Sequence, residues 1–222
     1  MKIGIIGAGF IGRALASRAK ACGHEVMISN SRGPDTLATT AAALRCKVGT
    51  AEDAARFGDV VFVAIPFKNC RALPVAPLAG KIVVDANNYY PQRDGRIAEL
   101  DNHETTTSEL IAQHLRDARL VKAFNAILQG DIEKDARPPG SPDRRALPIA
   151  GDDPDAKRVV AKLMDEFGFD AVDAGSLADS WRFERARPAY CIPLDMAGMQ
   201  AALAEAQKDV ELPHGSWHRR TG

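Results

Sequence analysis

The sequence predicts an α/β fold with a doubly wound, mainly parallel sheet. Apolar, β-branched runs of strand length alternate with helix-like stretches as far as residue 173, and this alternation is typical of parallel sheets built from βαβ units. The first apolar run, with Ile3, Ile5 and Ile6, leads into a glycine-rich turn and then into a helix-like stretch over residues 13–22. The 222 residues suffice for one large domain, or for one domain with a small appendage.

The glycine-rich turn has the spacing GxGxxG and reads Gly7-Ala8-Gly9-Phe10-Ile11-Gly12. In this pattern the first glycine allows a tight turn, the second lets the backbone approach a pyrophosphate, and the third lets the helix pack close to the strand. The pyrophosphate then lies on the free N–H groups at the positive end of the helix dipole. Because the turn lies between a strand and a helix, it predicts a Rossmann-type dinucleotide site; a purely structural βα turn is the alternative.

The end of the second predicted strand, residues 25–29, indicates which dinucleotide is bound. NAD-binding units place an Asp or Glu about 20 residues past the glycines, where it bonds the ribose 2′-hydroxyl. This chain has no acid there and instead has Asn30, Ser31 and Arg32. A guanidinium binds a 2′-phosphate by charge-assisted hydrogen bonds, whereas a carboxylate repels it. We therefore expect NADP(H), with Arg32 as the main contact and the other two assisting; an ordinary polar loop is the alternative.

The remaining elements of the first half continue the alternation. Strands are expected over residues 47–48, 59–65, 81–85 and 120–124, and helices over residues 34–44, 50–55 and 108–115, with residues 92–102 as a polar loop. The run 59–65 is continuously apolar, as expected for a parallel strand that is buried on both faces.

Several side chains lie at the carboxyl ends of these strands, where a doubly wound sheet binds its ligand. Ile65 and Pro66 are candidate walls beside the cofactor, with simple strand termination as the alternative. Asn87 and Asn88 are candidates for bonding a nicotinamide amide or a substrate carbonyl.

The same segment continues with two tyrosines, Tyr89 and Tyr90. Their rings are suited to stacking on a flat ligand, and a turn with aromatic packing is the alternative. Lys122 is unusual inside an otherwise apolar strand, so we expect it to pair with a carboxylate or to point into the crevice.

The composition changes in the second half of the chain. Residues 131–145 form a Pro-rich, charged loop that we interpret as surface-exposed, serving as a lid or an interface segment. A strand at 146–150, a helix at 155–167, a strand at 170–173 and a helical tail at 194–210 are expected to follow. We divide the chain into an NADP-binding Rossmann domain, residues 1–118, and a smaller C-terminal α/β part, residues 119–222, that completes the crevice.

The composition excludes several classes of partner. The formal net charge is +0, which gives no electrostatic reason to expect nucleic acid or an anionic membrane surface. No apolar run approaches the roughly 20 residues that span a bilayer, and the N-terminus has no signal-peptide pattern. The 4 cysteines lie far apart without a CxxC pair, which predicts reduced thiols in a cytoplasmic protein.

Common catalytic motifs are absent from the sequence. There is no phosphate-binding P-loop, no G-x-S-x-G elbow, no H-E-x-x-H and no Tyr-x-x-x-Lys pair. His214 and His218 have i,i+4 spacing, but we interpret them as solvated tail residues and expect no metal site. We therefore assign no catalytic acid or base and expect chemistry that needs none.

The motifs together resemble the coenzyme F420-dependent NADP oxidoreductases. The resemblance depends on the glycine turn and, more specifically, on Asn-Ser-Arg-Gly-Pro at 30–34 and Lys-Ala-Phe-Asn at 122–125. It continues through segments 145–153, 168–175 and 187–190. The reductase domain of the STEAP metalloreductases and the pyrroline-5-carboxylate reductases look like more distant relatives.

The resemblance implies a homodimer, with the C-terminal part at its interface, and direct hydride transfer between NADPH and a deazaflavin ring, F420, stacked beside it. It places the NADP contacts at the glycine turn and at residues 30–32, with Ile65 and Pro66 at the nicotinamide. Family members tend to have Asn-Pro after the Asp-Ala of the fifth strand, whereas this chain has Asn87-Asn88-Tyr89-Tyr90-Pro91.

This departure leaves the acceptor open. F420, a flavin and a small C=O or C=N compound remain possible acceptors, as does an NADPH-sensing module without turnover. We take Asn88, Tyr89 and Asn125 as the residues on the substrate side.

Overall fold

In the computed structural model, which describes residues 1–213 and 215–216, eight strands form one sheet in the order β3-β2-β1-β4-β5-β6-β7-β8. The strands are β1 (Lys2–Ile6), β2 (Glu25–Ser29), β3 (Lys47–Gly49), β4 (Val60–Val63), β5 (Ile82–Asp85), β6 (Arg119–Lys122), β7 (Ala146–Gly151) and β8 (Asp170–Asp173). His214 and His218 lie outside the described residues.

Helices connect the strands and cover both faces of the sheet. They are α1 (Phe10–Ala21), α2 (Ala38–Leu44), α3 (Ala51–Phe57), α4 (Val75–Leu78), α5 (Pro91–Asp94), α6 (Ala98–Asp101), α7 (Thr107–His114), α8 (Asp131–Lys134), α9 (Pro154–Glu166) and α10 (Met196–Glu205). Segments of 3₁₀ helix span Pro34–Leu37, Phe67–Ala72 and Leu177–Phe183. Within the described part of the chain, no helix is both long enough and apolar enough to cross a membrane.

The first six strands are parallel, and the chain leaves β1 in one direction for β2 and β3 and in the other for β4 to β6. The strand order therefore reverses between β1 and β4, which is where a doubly wound sheet binds its ligand. Strand β7 runs antiparallel to β6, and β8 runs parallel to β7. The expected doubly wound, mainly parallel sheet is confirmed, and the C-terminal strands extend that same sheet.

Alternate residues of each strand face opposite layers of the core. Ile5, Val26 and Phe62 pack with α1 and α9 on one face, whereas Val61 and Val83 pack with α3 and α7 on the other. A strand with helices on both faces has to be apolar at every position, which explains the continuous apolar runs in the sequence.

Three local expectations differ from the structure. The predicted helix 34–44 begins with a 3₁₀ turn before α2, and the predicted polar loop 92–102 contains the single-turn helices α5 and α6. The segment 131–145 is exposed around Pro139 but not throughout. Arg144 and Arg145 are buried because each pairs with two carboxylates, Asp165 and Asp170 for the first and Asp131 and Asp135 for the second.

Candidate functional site

The carboxyl ends of β1, β2, β4 and β5 border one continuous crevice. It consists of two adjoining cavities of about 670 and 660 Å³. Both cavities are lined by Gly9, Ala64, Ile65 and Pro66. Of the residues expected from the sequence, the first cavity adds Gly7, Ala8, Asn30, Ser31 and Arg32, and the second adds Phe10, Ile11, Asn87, Asn88 and Tyr90.

The three glycines of the turn are present for different physical reasons. Gly7 has a φ of +116°, and a Cβ there would lie 2.2 Å from the carbonyl oxygen of Ala64. A Cβ on Gly12 would lie 1.8 Å from the carbonyl oxygen of Gly7, so the close approach of α1 to the turn requires glycine. Gly9 has an ordinary φ of −74° and open space where its Cβ would be. Nothing within the protein requires glycine at this position, and the open space faces the crevice.

The N-terminus of α1 is arranged to attract an anion. The helix has no acidic residue in its first turn, so the positive end of its dipole is not neutralised locally. Arg13 donates from Nε to the carbonyl oxygen of Ala8 at 2.9 Å, which places a guanidinium beside the turn. Phe10, the first helical residue, is 80% exposed and forms part of the cavity mouth.

The loop after β2 is organised by the side chain of Asn30. Its Oδ1 accepts a hydrogen bond from the backbone N–H of Arg32 at 3.0 Å, and its Nδ2 donates to Thr36 Oγ1 at 2.8 Å. Ser31 and Arg32 are exposed, and no carboxylate of the described residues forms an ion pair with Arg32. Asn30 therefore shapes the loop, whereas the hydroxyl and the guanidinium are available to a ligand.

Asn87 braces the wall of the second cavity. Its Oδ1 accepts a hydrogen bond from the backbone N–H of Ile65 at 2.8 Å, and its Nδ2 lies 3.8 Å from Cys70 Sγ. The side chain thus joins the end of β5 to the end of β4. Its amide is already engaged, so its contribution to the site is the position of Ile65.

A buried ion pair lies behind Asn87. Lys122 and Asp85 both have fully buried side chains, and their charged atoms are 3.0 Å apart. Lys122 Nζ also donates to the carbonyl oxygen of Asn87 at 2.6 Å and to Thr107 Oγ1 at 2.8 Å, while Asp85 accepts from the N–H of Asn87 at 2.9 Å. Of the two expectations for Lys122, the carboxylate pairing is the one the structure shows.

Two residues expected on the substrate side lie outside the crevice. The Tyr89 hydroxyl donates to Asp101 at 3.0 Å and accepts from the N–H of Ile97 at 2.9 Å, so this ring faces a separate cavity. Asn125 is buried and donates to Asn88 Oδ1 at 3.1 Å, so it supports Asn88 from behind. We therefore withdraw Tyr89 and retain Asn88 as the crevice residue, with Asn125 behind it.

Tyr90 in the wall of the second cavity pairs with a tyrosine from the C-terminal part of the chain, and the sequence does not reveal this pair. Tyr90 lines the cavity, and its Oη lies 2.6 Å from Oη of Tyr190. The guanidinium of Arg93 lies 4.7 Å from the centroid of the Tyr90 ring. Burial raises the pKa of Tyr190, which keeps this hydroxyl protonated. The segment 187–190 carried the family resemblance, but a contact across 100 residues leaves no local signal.

The described residues hold no group of three or more His, Cys, Asp or Glu side chains placed to bind a metal ion. The four cysteines are free thiols. Burial raises the pKa of the Cys70 thiol, which lies just behind Asn87.

Three features define a dinucleotide-binding protein of the Rossmann class. They are the glycine turn between β1 and α1, the strand order that reverses at that turn, and the basic loop after β2. Residues 2–89 match the family described as NADP oxidoreductase, coenzyme F420-dependent. The chain belongs to this family of NADP-dependent oxidoreductases, as the resemblance of its motifs predicted.

Two solved structures are similar to the chain. The structure of the hypothetical protein SMa0349 of Sinorhizobium meliloti is similar with a TM-score of 0.75 and 33% identity, over 87% of this chain and 94% of that one. An Arthrobacter sp. FB24 protein, provisionally described as an F420-dependent NADP-reductase, has a TM-score of 0.70 and 27% identity, over 81% and 87% of the two chains.

The predicted relation to STEAP proteins is also confirmed. Metalloreductase STEAP3 of Rattus norvegicus is 31% identical over 202 residues, which is 88% of this chain and 39% of the metalloreductase. The chain thus spans about two fifths of the length of this curated relative.

Proposed function

We propose that this chain binds NADP(H) along the crevice and transfers hydride between the nicotinamide and a ring cofactor of the F420 type. The observation that supports it most directly is the arrangement of the first cavity. Gly9 leaves open space for a pyrophosphate at the N-terminus of α1, and the exposed Arg32 lies in the loop that borders the same cavity. These residues fit a dinucleotide with a phosphorylated ribose.

In this proposal each part of the crevice has a separate task. The backbone of residues 7–12 binds the pyrophosphate, and Arg32 with Ser31 binds the 2′-phosphate. Ile65 and Pro66 border the nicotinamide, and Asn87 fixes the backbone of Ile65. When bound, NADPH supplies a hydride from C4 of its nicotinamide ring. The protein contributes alignment and exclusion of water, and Phe10 at the mouth is placed to cover the bound rings.

The acceptor would occupy the second cavity. A ring of the F420 type is supported by the family description and by the Arthrobacter relative, and a flavin would use the same flat space. A small carbonyl or imine compound is a second candidate, favoured by the presence of Tyr90 among the residues that line the cavity.

The test is a stopped-flow assay of NADPH oxidation under anaerobic conditions, with F420, FMN and a panel of carbonyl and imine compounds as acceptors. The proposal expects one acceptor to oxidise bound NADPH much faster than it oxidises free NADPH. Tight NADPH binding with no such acceptor would indicate a sensing module. Failure to bind NADPH would refute the assignment of the crevice.

We further propose that the chain acts as a homodimer in the cytoplasm. The family resemblance suggests the dimer, and the four free thiols are typical of a reducing compartment. Light scattering coupled to size-exclusion chromatography measures the mass directly, and a monomer at micromolar concentration would contradict the first point.

A further inference from the structure

Tyr90, a residue of the wall of the second cavity, and Tyr190 form a short hydrogen-bonded pair through their hydroxyls. Tyr90 follows β5 and lines the cavity together with Asn88 and Ile65. Tyr190 comes from the C-terminal part of the chain and is only 6% exposed. Their oxygen atoms are 2.6 Å apart, which is a normal distance for an O–H···O hydrogen bond.

Either hydroxyl of this pair can donate to the other. Burial raises the pKa of Tyr190, and it raises the pKa of the neighbouring Cys191 thiol to about 12. Both groups therefore keep their protons, and the thiol and the Tyr190 hydroxyl are themselves in hydrogen-bonding contact. In the arrangement in which Tyr190 donates to Tyr90, the single proton of the Tyr90 hydroxyl is left for a group in the crevice.

The other polar side chains of the cavity are the amides of Asn87, Asn88, Gln92 and Gln129 and the guanidinium of Arg93, and none of them readily gives up a proton. Asn87 is engaged with Ile65, and Asn88 is engaged with Asn125. Arg93 is bound to Asp94 and to the carbonyl oxygen of Asn88, and a guanidinium stays protonated in proteins. Among the described residues that line this cavity, Tyr90 is therefore the best-placed acid.

We propose that Tyr90 is a proton donor to the acceptor, with Tyr190 as the residue that positions it, and that the acceptor's reducible double bond ends in oxygen or nitrogen. The inference rests on the proposed NADP(H)-dependent hydride transfer and specifies the class of acceptor for the same crevice.

The atoms and electrons of the step balance as follows. The acceptor carbon gains the hydride supplied by NADPH and forms a C–H bond. The π electron pair of the C=O or C=N bond moves to the heteroatom, which takes the proton from Tyr90 Oη. The acceptor is reduced and the nicotinamide is oxidised. The resulting phenolate accepts a hydrogen bond from Tyr190 and recovers a proton from water when the product leaves.

The test compares two acceptors that differ only in their need for a proton. A cyclic imine needs a proton at nitrogen when it is reduced, whereas the N-methyl iminium salt of the same ring accepts hydride without one. At a pH above the pKa of the free imine, Tyr90→Phe should slow imine reduction about 100-fold or more, the usual range for loss of a general acid. Reduction of the iminium salt should change little, and Tyr89→Phe, at the neighbouring tyrosine outside the crevice, should leave both rates unchanged.

Tyr190→Phe tests the positioning role. Loss of its hydrogen bond to the developing phenolate should slow imine reduction about tenfold and spare the iminium salt, whereas a merely structural role would slow both.

A second measurement needs no turnover and uses calorimetry on the protein loaded with NADP⁺. There, Tyr90→Phe should weaken binding of the neutral imine about threefold to tenfold and leave binding of the iminium salt unchanged.

Equal losses for imine and iminium salt, or no loss for either, would overturn the proton-donor role. If the wild type bound NADPH and reduced F420 but neither probe, the inference would fail while the proposed function stood. If NADPH itself did not bind, both would fail.

Discussion

At the scale of single residues, two glycines of the turn are required by the fold, whereas the third is explained only by a ligand in the crevice. Gly7 and Gly12 are each required by a close backbone contact, whereas Gly9 faces open space. Arg32 similarly makes no ion pair with the described residues, although Asn30 holds its backbone in place. Groups that the protein positions but does not itself use are the ones we assign to the cofactor.

Replacing Arg32 tests the cofactor preference. Arg32→Ala should weaken NADPH binding by about 1.5–3 kcal/mol, the range for a hydrogen bond to a charged partner. NADH binding should change little, because NADH lacks the phosphate that the guanidinium contacts. Fluorescence titration with both nucleotides measures the two affinities, and equal losses for both would refute the role of Arg32.

Replacing Gly9 tests the pyrophosphate site. Gly9→Val should abolish NADPH binding while the protein stays folded, because the new side chain meets no protein atom within 4 Å of its Cβ and projects into the crevice. Gly12→Ala is the contrasting variant, since its Cβ would clash with Gly7 and destabilise the fold itself. Thermal unfolding and nucleotide titration of both variants separate the two effects. Normal binding by a folded Gly9→Val protein would move the site elsewhere.

At the scale of elements, the buried pair of Lys122 and Asp85 connects β5, β6 and α7 directly beneath the crevice. Lys122 contacts Asp85, the backbone of Asn87 and Thr107 of α7. Breaking a buried pair on one side leaves an uncompensated charge, which costs about 3–5 kcal/mol. We therefore expect Lys122→Met to lower the free energy of unfolding by about that amount, as measured by urea denaturation.

The control for this prediction removes both charges. Lys122→Met combined with Asp85→Leu leaves no unpaired charge, so most of the lost stability should return. The backbone of Asn87 would still lack its two partners, so nucleotide affinity should recover less than stability. A double variant as unstable as the single one would show that packing, rather than charge, dominates at this position.

The elements themselves were largely predictable because their signals are local. Thr50 and Asp153, both of residue types that favour the N-cap, cap α3 and α9, and buried strands show continuous apolar runs. What remained unpredicted depends on contacts between distant segments or on side-chain direction. Tyr90 meets Tyr190 across 100 residues, Asn87 turns toward Ile65, and Tyr89 turns away because Asp101 and Ile97 bind its hydroxyl. Residue type and spacing do not encode these directions.

At the scale of the whole molecule, the single sheet places all parts of the crevice on one rigid base. In the proposed function, the N-terminal strands supply the cofactor end and the segments after β5 and β6 supply the acceptor end, where Tyr190 of the C-terminal part contacts Tyr90. The pairing of β6 with β7 continues the sheet into that part. A substitution that loosens the junction should therefore affect the acceptor end more than the cofactor end.

Stability of the whole chain should fall on acidification in two stages. Burial lowers the pKa of His24, so this residue is neutral in the fold and gains a proton on unfolding as the pH falls below its unfolded value of about 6.5. The pKa of Asp153 is lowered by the hydrogen bonds that its carboxylate accepts from Arg119 and from the backbone of α9. The pKa of Asp94 is also lowered, because hydrogen bonds from Arg93 and from two backbone N–H groups outweigh the effect of burial. These carboxylates stabilise the fold above their unfolded pKa of about 3.9, and that contribution is lost as the pH falls toward the folded values.

Urea unfolding across the acid range should show a shallow decline in the free energy of unfolding that begins below about pH 6.5 and a steeper one below about pH 4. His24→Phe should remove the first stage alone, and a free energy of unfolding that rose on acidification would contradict the sign of all three shifts.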